Sequence, residues 1–326
     1  MHIPENYLSP STCAVTAAAM LPVWKHALTT VRKELSPERM PLLGIGAGFS
    51  FLVMMLNLPL PGGTTGHAVG AALLAILLGP AAACLSVSAA LVVQAVFFGD
   101  GGILAIGANC LTMATIMPWT ASAVYRSIRG TDPSPAREGV AAFAASYLSL
   151  NLAALVASLL FGIQPALFRD AAGLPLYAPY PLSVAIPAMM IPHLLVAGLV
   201  EGAVTVLALA YLRRTAPELL ARTALPSARI SWKPLLVMLA LMILLTPLGL
   251  LATGTAWGEW DSEQIREMLG FVPAAMEKGF SFAAPLPDYS VPKLNETLGY
   301  LLSAVSGTAL LLALFAGLRK LRSRGA

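Results

Sequence analysis

Charge is scarce in this chain. Asp, Glu, Lys and Arg make up 11% of its 326 residues, against about 25% in an ordinary soluble domain. So little charge is too little to cover a water-soluble globule of this length, and a soluble fold is excluded. Cysteine is nearly absent too: Cys13, Cys84 and Cys110 stand singly, with no CxxC spacing. That excludes a disulfide framework and a thiolate metal site, and leaves three small residues inside apolar segments. Also missing are the GxxxxGK[ST] phosphate loop, the HExxH helix of zinc proteases and the GxSxG nucleophile turn. The chain is expected to hydrolyse nothing on its own and to carry no resident cofactor.

What is abundant is apolar sequence, at 57% of residues and a mean hydropathy of +0.77. A hydrocarbon core about 30 Å thick needs about 20 apolar residues per helix. Nine such segments are read, at 11–28, 41–57, 67–78, 81–98, 104–125, 140–162, 182–212, 232–253 and 294–318. The pattern predicts an all-α integral membrane protein with about nine transmembrane helices. The third segment is short and follows the loop LPLPGGTTG, which predicts a broken or partly inserted helix.

Most of the 20 Lys and Arg fall at segment ends 25–39, 126–137, 213–233 and 319–324. With nine crossings these ends share one side, which the positive-inside rule assigns to the cytoplasm. The N-terminus is then expected outside and the C-terminus in the cytoplasm. The net charge of +4 follows that topology and implies no nucleic-acid partner. A polar linker at 214–231 separates a unit of residues 1–213 from a two-helix hairpin, 232–326. The hairpin's outside loop, 254–293, carries Glu259, Asp261, Glu263 and Glu267 and is expected to be a solvated acidic surface, with weak gathering of cations as the alternative.

Histidine is rare, at four residues, and two of the four fall on the outside: His2, directly after the first residue, and His67, at the end of LPLPGGTTG. The first ten residues lack the basic start of a cleavable leader, so Met1 is expected to be retained. The Met1 amine, the His2 peptide nitrogen and the His2 imidazole can chelate one ion, and His67 supplies a fourth nitrogen. Four nitrogens in a plane suit Ni²⁺ or Cu²⁺, whereas Zn²⁺ prefers a tetrahedron and Mg²⁺ or Ca²⁺ require oxygen. The bland alternative is that His2 is incidental and His67 merely opens a helix at the membrane surface.

Polar side chains inside apolar segments are costly unless satisfied. Gln94, Asn109, Asn151, His193 and Glu201 are the candidates, read as supports around the metal or, equally, as helix-packing groups. Glu201 is expected to be a hydrogen-bonded structural carboxylate. Pairs spaced by four, Gly44/Gly48, Gly66/Gly70, Gly198/Gly202 and Ala14/Ala18, permit close helix crossings.

The blocks MHIPENYLSP, GGTTGHAVG, QAVFFGDGGILAIGAN and IPHLLVAGLVEGAVT together resemble the CbiM/NikM family, the substrate-binding components of cobalt and nickel energy-coupling-factor transporters. The hairpin, with WGEWD and APLPDYSVPKLNETLGYLLSAV, is similar to the NikN two-helix component fused in the nickel branch. The resemblance implies a seven-helix metal-binding unit plus two helices in a bacterial inner membrane. It implies metal held by the Met1 amine, the His2 amide and imidazole, and the His67 imidazole. It also implies a transmembrane coupling component and a pair of cytoplasmic ATPases as partners, with Ala14 and Ala18 at the coupling contact. No PPSGEIES stretch of the cobalt type is present, which points to nickel, with cobalt the near alternative. A proton-coupled carrier working through Glu201 is the competing class. An intramembrane metalloenzyme is disfavoured, because a filled plane leaves no open coordination position.

Overall fold

Proline and serine decide where the helices start. Helices beginning at Pro10, Pro41, Pro80 and Pro135 each place proline in the first turn, where its missing N–H costs no hydrogen bond. Ser9 and Ser134 accept hydrogen bonds from the amides of Thr12 and Arg137, satisfying donors that a helix start leaves open. The structure, a computed structural model, describes residues 1–219 and 231–324. Residues 220–230, most of the expected linker, lie outside the described residues.

Each of the nine apolar segments contains a helix, and the protein is a mostly helical integral membrane protein. Among the described residues five helices are long and apolar enough to cross a bilayer: Pro80–Phe98, Pro135–Leu167, Leu182–Thr215, Trp232–Leu251 and Glu296–Arg322. Pro41–Met54 has 14 residues and Ala71–Leu78 has eight. At 1.5 Å per residue these reach only about 21 and 12 Å. Both are almost wholly buried within the bundle.

The expectation of purely helical structure needs one correction. Leu58–Leu60 and Thr64–Gly66 pair as a short antiparallel hairpin, with Pro59 opposite Thr65. Its turn uses Gly62 and Gly63, both at positive φ, which glycine adopts without steric cost. This hairpin, rather than a helix end, delivers His67.

Small residues let the helices approach. An added Cβ at Gly44 or Gly48 would lie 3.2 Å from Phe315 or Thr308 of the last helix. At Gly202 it would lie 2.6 Å from Phe143. Two of the spacings read from sequence are therefore crossings, in keeping with membrane helix packing. Gly66 and Gly70 are not one: they flank the extended stretch after the hairpin, and Gly70 has φ +73. Ala14 and Ala18 face outward. Leu207, Leu244 and Leu251 are about 70% exposed, an outward surface suited to lipid.

Three long helices contain a π-helical turn, at Gln94–Phe98, Cys110–Ile116 and His193–Ala197. Each begins at or one residue after a polar residue flagged from the sequence. Such turns widen a helix and recur at functional sites.

Candidate metal centre

Six of the first nine residues are buried, and Pro4, Glu5 and Asn6 between them are half-buried. Met1, His2 and Ile3 are buried, and the backbone of Ile3 is clamped by one side chain. Asn109 Oδ1 accepts from Ile3 N–H at 2.8 Å, while Asn109 Nδ2 donates to the Ile3 carbonyl at 3.1 Å. The amide thus imitates a neighbouring strand. Gly102 N–H adds a bond to the same carbonyl at 2.9 Å, and Glu5 Oε2 accepts from Ile103 N–H at 2.7 Å. A Cβ on Gly102 would stand 2.7 Å from Glu5 N, so only glycine allows this contact.

His67 is held from the other side. Both carboxylate oxygens of Glu201 accept backbone amides, from Val69 at 2.7 Å and Gly70 at 3.0 and 3.1 Å. The carboxylate caps the start of the helix Ala71–Leu78, where amide dipoles favour negative charge. Ser50 Oγ donates to the Val69 carbonyl at 2.8 Å. Glu201 is thus a buried carboxylate hydrogen-bonded to backbone amides.

These supports bring the two histidines together. His67 Nε2 lies 3.3 Å from His2 Nδ1, and His67 Nδ1 lies 3.0 Å from the Ala68 carbonyl. A carbonyl only accepts, so Nδ1 carries the His67 proton and Nε2 presents its lone pair toward His2. The rings are 2% and 5% exposed. Burial, with the N-terminal ammonium second, lowers the His2 pKa to about 4. The same two causes, then His2 itself, hold His67 well below the usual imidazole value. Both rings are thus neutral at neutral pH, the form that binds metals. Two nitrogens about 2 Å from one ion, adjacent in a plane, stand about 2.8 Å apart, so the observed pair needs only a small contraction.

Among the described residues, no group of three or more His, Cys, Asp and Glu side chains forms a metal site. A metal bound here would have to draw on backbone nitrogen as well as on the two imidazoles.

Three groups around the site were not found from the sequence. Glu259 Oε1 accepts from the Met1 ammonium at 3.1 Å. Asp100 Oδ1 lies 3.0 Å from His2 Nδ1, and burial raises its pKa. Tyr289 donates to Asp100 Oδ2 at 2.5 Å. Asp100 was visible as the lone acid of the GDGG turn at the outer end of a membrane helix. Glu259 and Tyr289 gave no local signal, since their partners are 258 and 189 residues away.

Of the five polar candidates, Asn109 touches the N-terminal segment and Gln94 bonds Asp100 and Tyr289 at 3.2 and 2.9 Å. His193 donates to Met189 O at 2.7 Å and lines a small cavity with Met1. Asn151 donates to Tyr147 O of its own helix, and an added Cβ at Gly198 would lie 2.5 Å from its Nδ2. Asn151 thus marks a helix crossing.

The loop 254–293 does more than was expected of it. Its Trp257 and Trp260 pack edge to face, Trp257 also meets Phe161, and Trp260 meets Tyr180. Tyr7 Oη donates to the Trp260 carbonyl at 2.7 Å. Asp261, Glu263 and Glu267 are exposed, as a solvated acidic surface requires, while the aromatic residues of the same loop dock it against the N-terminal segment.

Comparison with known proteins agrees with this architecture. Residues 2–219 match the family model described as cobalt uptake substrate-specific transmembrane region, and residues 232–324 match the PDGLE domain. A fused nickel transport protein NikMN of Rhodobacter capsulatus is 48% identical, covering 99% of each chain. A probable fused nickel transport protein LarMN of Lactiplantibacillus plantarum is 47% identical over 98% of each. A crystal structure of a truncated transition metal transporter superposes with TM-score 0.62 at 49% identity, covering 66% of this chain and 99% of that one. The chain belongs to the CbiM/NikM family of nickel and cobalt transport proteins, with a NikN-like component fused at its C-terminal end.

Proposed function

We propose that this chain captures Ni²⁺ at the outer membrane face as the substrate-binding component of an ATP-driven uptake complex. The metal is held in a square plane by the Met1 amine, the His2 peptide nitrogen and Nδ1, and His67 Nε2. The observation that carries this reading is the approach of His2 Nδ1 to His67 Nε2 at 3.3 Å, with the His67 proton parked on the opposite ring nitrogen and Met1 buried alongside.

Residues 1–213 form the binding unit and 232–326 the fused hairpin. In this reading the helices make nine crossings in a bacterial inner membrane, with the N-terminus outside and the C-terminus in the cytoplasm. A transmembrane coupling component and a pair of cytoplasmic ATPases complete the complex and hydrolyse the ATP. Nickel is favoured over cobalt by the two full-length relatives, both named as nickel transport proteins. The amide contacts of Glu201 favour this class over a carrier that cycles a proton through that carboxylate.

The test uses the purified chain in detergent, loaded with Ni²⁺ and followed by visible absorption. Wild type is expected to give a yellow, diamagnetic species, which His67→Ala loses. Acetylation of the N-terminal amine, or one residue added before Met1, is expected to abolish it as well. Undiminished nickel capture by the blocked chain overturns the ligand set.

A further inference from the structure

Between the two units a gap stays open toward the membrane. Its walls are the helix Leu182–Thr215 of the first unit and Trp232–Leu251 of the hairpin, and its inner end reaches Phe49 and Ala68. Among the described residues its lining is apolar apart from Asn57 and Tyr211. We infer that this groove binds one anionic phospholipid, with an acyl chain laid between the two helices and the headgroup at Arg214 and Lys233. The lipid site stands apart from the metal reading.

The walls are tied in two places. Tyr211 Oη donates to the Pro234 carbonyl at 3.0 Å, joining the two helices near Arg214. Further along, Glu201 anchors the first wall to the amides of Val69 and Gly70, directly after Ala68. These ties fix the helices, so the space does not close by sliding. An unfilled apolar gap forfeits dispersion contacts along its whole lining, and it selects an apolar occupant of matching width. Val200 to Tyr211 span about 16 Å of helix. A volume of about 460 Å³ over that length leaves a channel about 6 Å across, against about 10–12 Å for a helix with its side chains. A hydrocarbon chain fits that bore, and a partner helix does not.

Charge at one end says which lipid. Arg214 lies one turn beyond Tyr211, and Lys233 directly precedes Pro234, so the two cations flank the tie. Both are exposed, and among the described residues neither forms an ion pair. The adjacent Arg213 differs, because Glu138 takes it. The acid nearest to Arg214 in sequence is Glu218, whose Oε1 accepts from Ser231 N–H at 3.1 Å. Two unpaired cations against one carboxylate leave the mouth positive, on the side that the positive-inside rule assigns to the cytoplasm. Juxtamembrane Lys and Arg attract anionic headgroups in that leaflet. Trp232, beside Lys233, is of the residue type that settles at headgroup level.

The experiment is native mass spectrometry of the full chain, stripped of lipid in detergent and then offered phosphatidylglycerol or phosphatidylcholine with the same acyl chains. Wild type is expected to retain one phosphatidylglycerol, at least about tenfold more tightly than phosphatidylcholine. Ala208→Trp fills the groove and is expected to lose that lipid. Val204→Phe fills it with a smaller ring and serves if Ala208→Trp does not accumulate. Leu314→Trp adds the same ring to an exposed position of the last helix and is expected to retain the lipid. Arg214→Ser combined with Lys233→Ser is expected to keep one lipid and to lose the preference for phosphatidylglycerol. Wild-type retention in both filled variants overturns the site. Equal retention of the two lipids by wild type, or a preference that survives the double charge variant, overturns the headgroup assignment. A benzophenone placed at Leu241 and irradiated in intact membranes is expected to label lipid. Labelling of another protein chain instead overturns the inference in favour of a partner helix.

Discussion

The two units meet the membrane and the outer surface in opposite ways. In the helix Pro80–Phe98 of the first unit, 72% of the most apolar stretch is buried inside the protein, against 22% for Trp232–Leu251 of the hairpin. Within the bilayer the hairpin is a neighbour, packed along the glycine face of Pro41–Met54 and otherwise turned outward. At the end of the bundle that carries Met1 the relation reverses, and the hairpin's loop supplies Glu259 and Tyr289 to the surroundings of Met1 and His2. The difference teaches that the second unit is attached twice, through its last helix packed on Pro41–Met54 and through its loop packed on the start of the chain.

Glycine substitutions break that contrast most directly. Gly102→Val places side-chain atoms on the backbone of Pro4 and Glu5, already 2.7 to 2.8 Å from a Cβ. It is expected to eject the N-terminal segment and abolish nickel binding, measured by titration of the purified protein. Gly317→Leu in the last helix has nothing within 4 Å of its Cβ and is expected to be silent. Equal effects from the two would erase the distinction between a site-bearing unit and a lipid-facing hairpin.

Acid acts next in size. A free imidazole takes a proton near about 6.5, whereas folded His2 does so only at about 4. The folded value is the lower one, so stability is full above about pH 6.5 and is lost as pH falls toward 4. The loss for His2 approaches about 3 kcal/mol. Thermal unfolding of the metal-free protein between pH 7 and 4 measures it, and His2→Ala is expected to flatten the curve. An unchanged slope in His2→Ala would locate the acid sensitivity elsewhere.

Asn109→Ala tests how far the first unit alone holds the chain start. It removes both side-chain bonds to Ile3 and leaves a buried N–H without its partner, at a cost of about 1–3 kcal/mol. Nickel affinity is expected to fall roughly 5- to 150-fold. Wild-type affinity would mean that the Gly102 contact suffices.

Glu259→Gln is expected to do least to affinity. In the proposed exchange an ammonium is replaced by a dication beside an ionised amide, so the local charge is +1 before and after. The attraction of Glu259 for the two states then largely cancels, and the change in Kd is expected to stay under about tenfold. A larger loss would make this carboxylate a direct participant in binding.

Much of this was legible in the chain itself, for identifiable reasons. Helix positions followed from apolar runs, and His2 and His67 stood out because histidine is scarce and both lie on one expected side. Asn109 and Glu201 were found because a polar group in an apolar segment must be answered by a partner. What remained hidden was pairing over long separations: neither the strand-like clamp on Ile3 nor the reach of Tyr289 to Asp100 leaves a periodic trace. The exposed acids of the loop 254–293 were anticipated, but its docking was not, because Trp257 and Trp260 were not weighed as anchors. The hairpin at 58–66 was too short to show an alternation.

The depth of the two imidazoles has a kinetic corollary. In the proposed site an ion arriving from bulk water meets rings only 2% and 5% accessible, so collision alone would not load it. Loading would then wait for the segments around the chain start to part. At high nickel concentration the filling rate should then level off at that opening frequency instead of climbing in proportion to the ion, and stopped-flow mixing would read the waiting time directly.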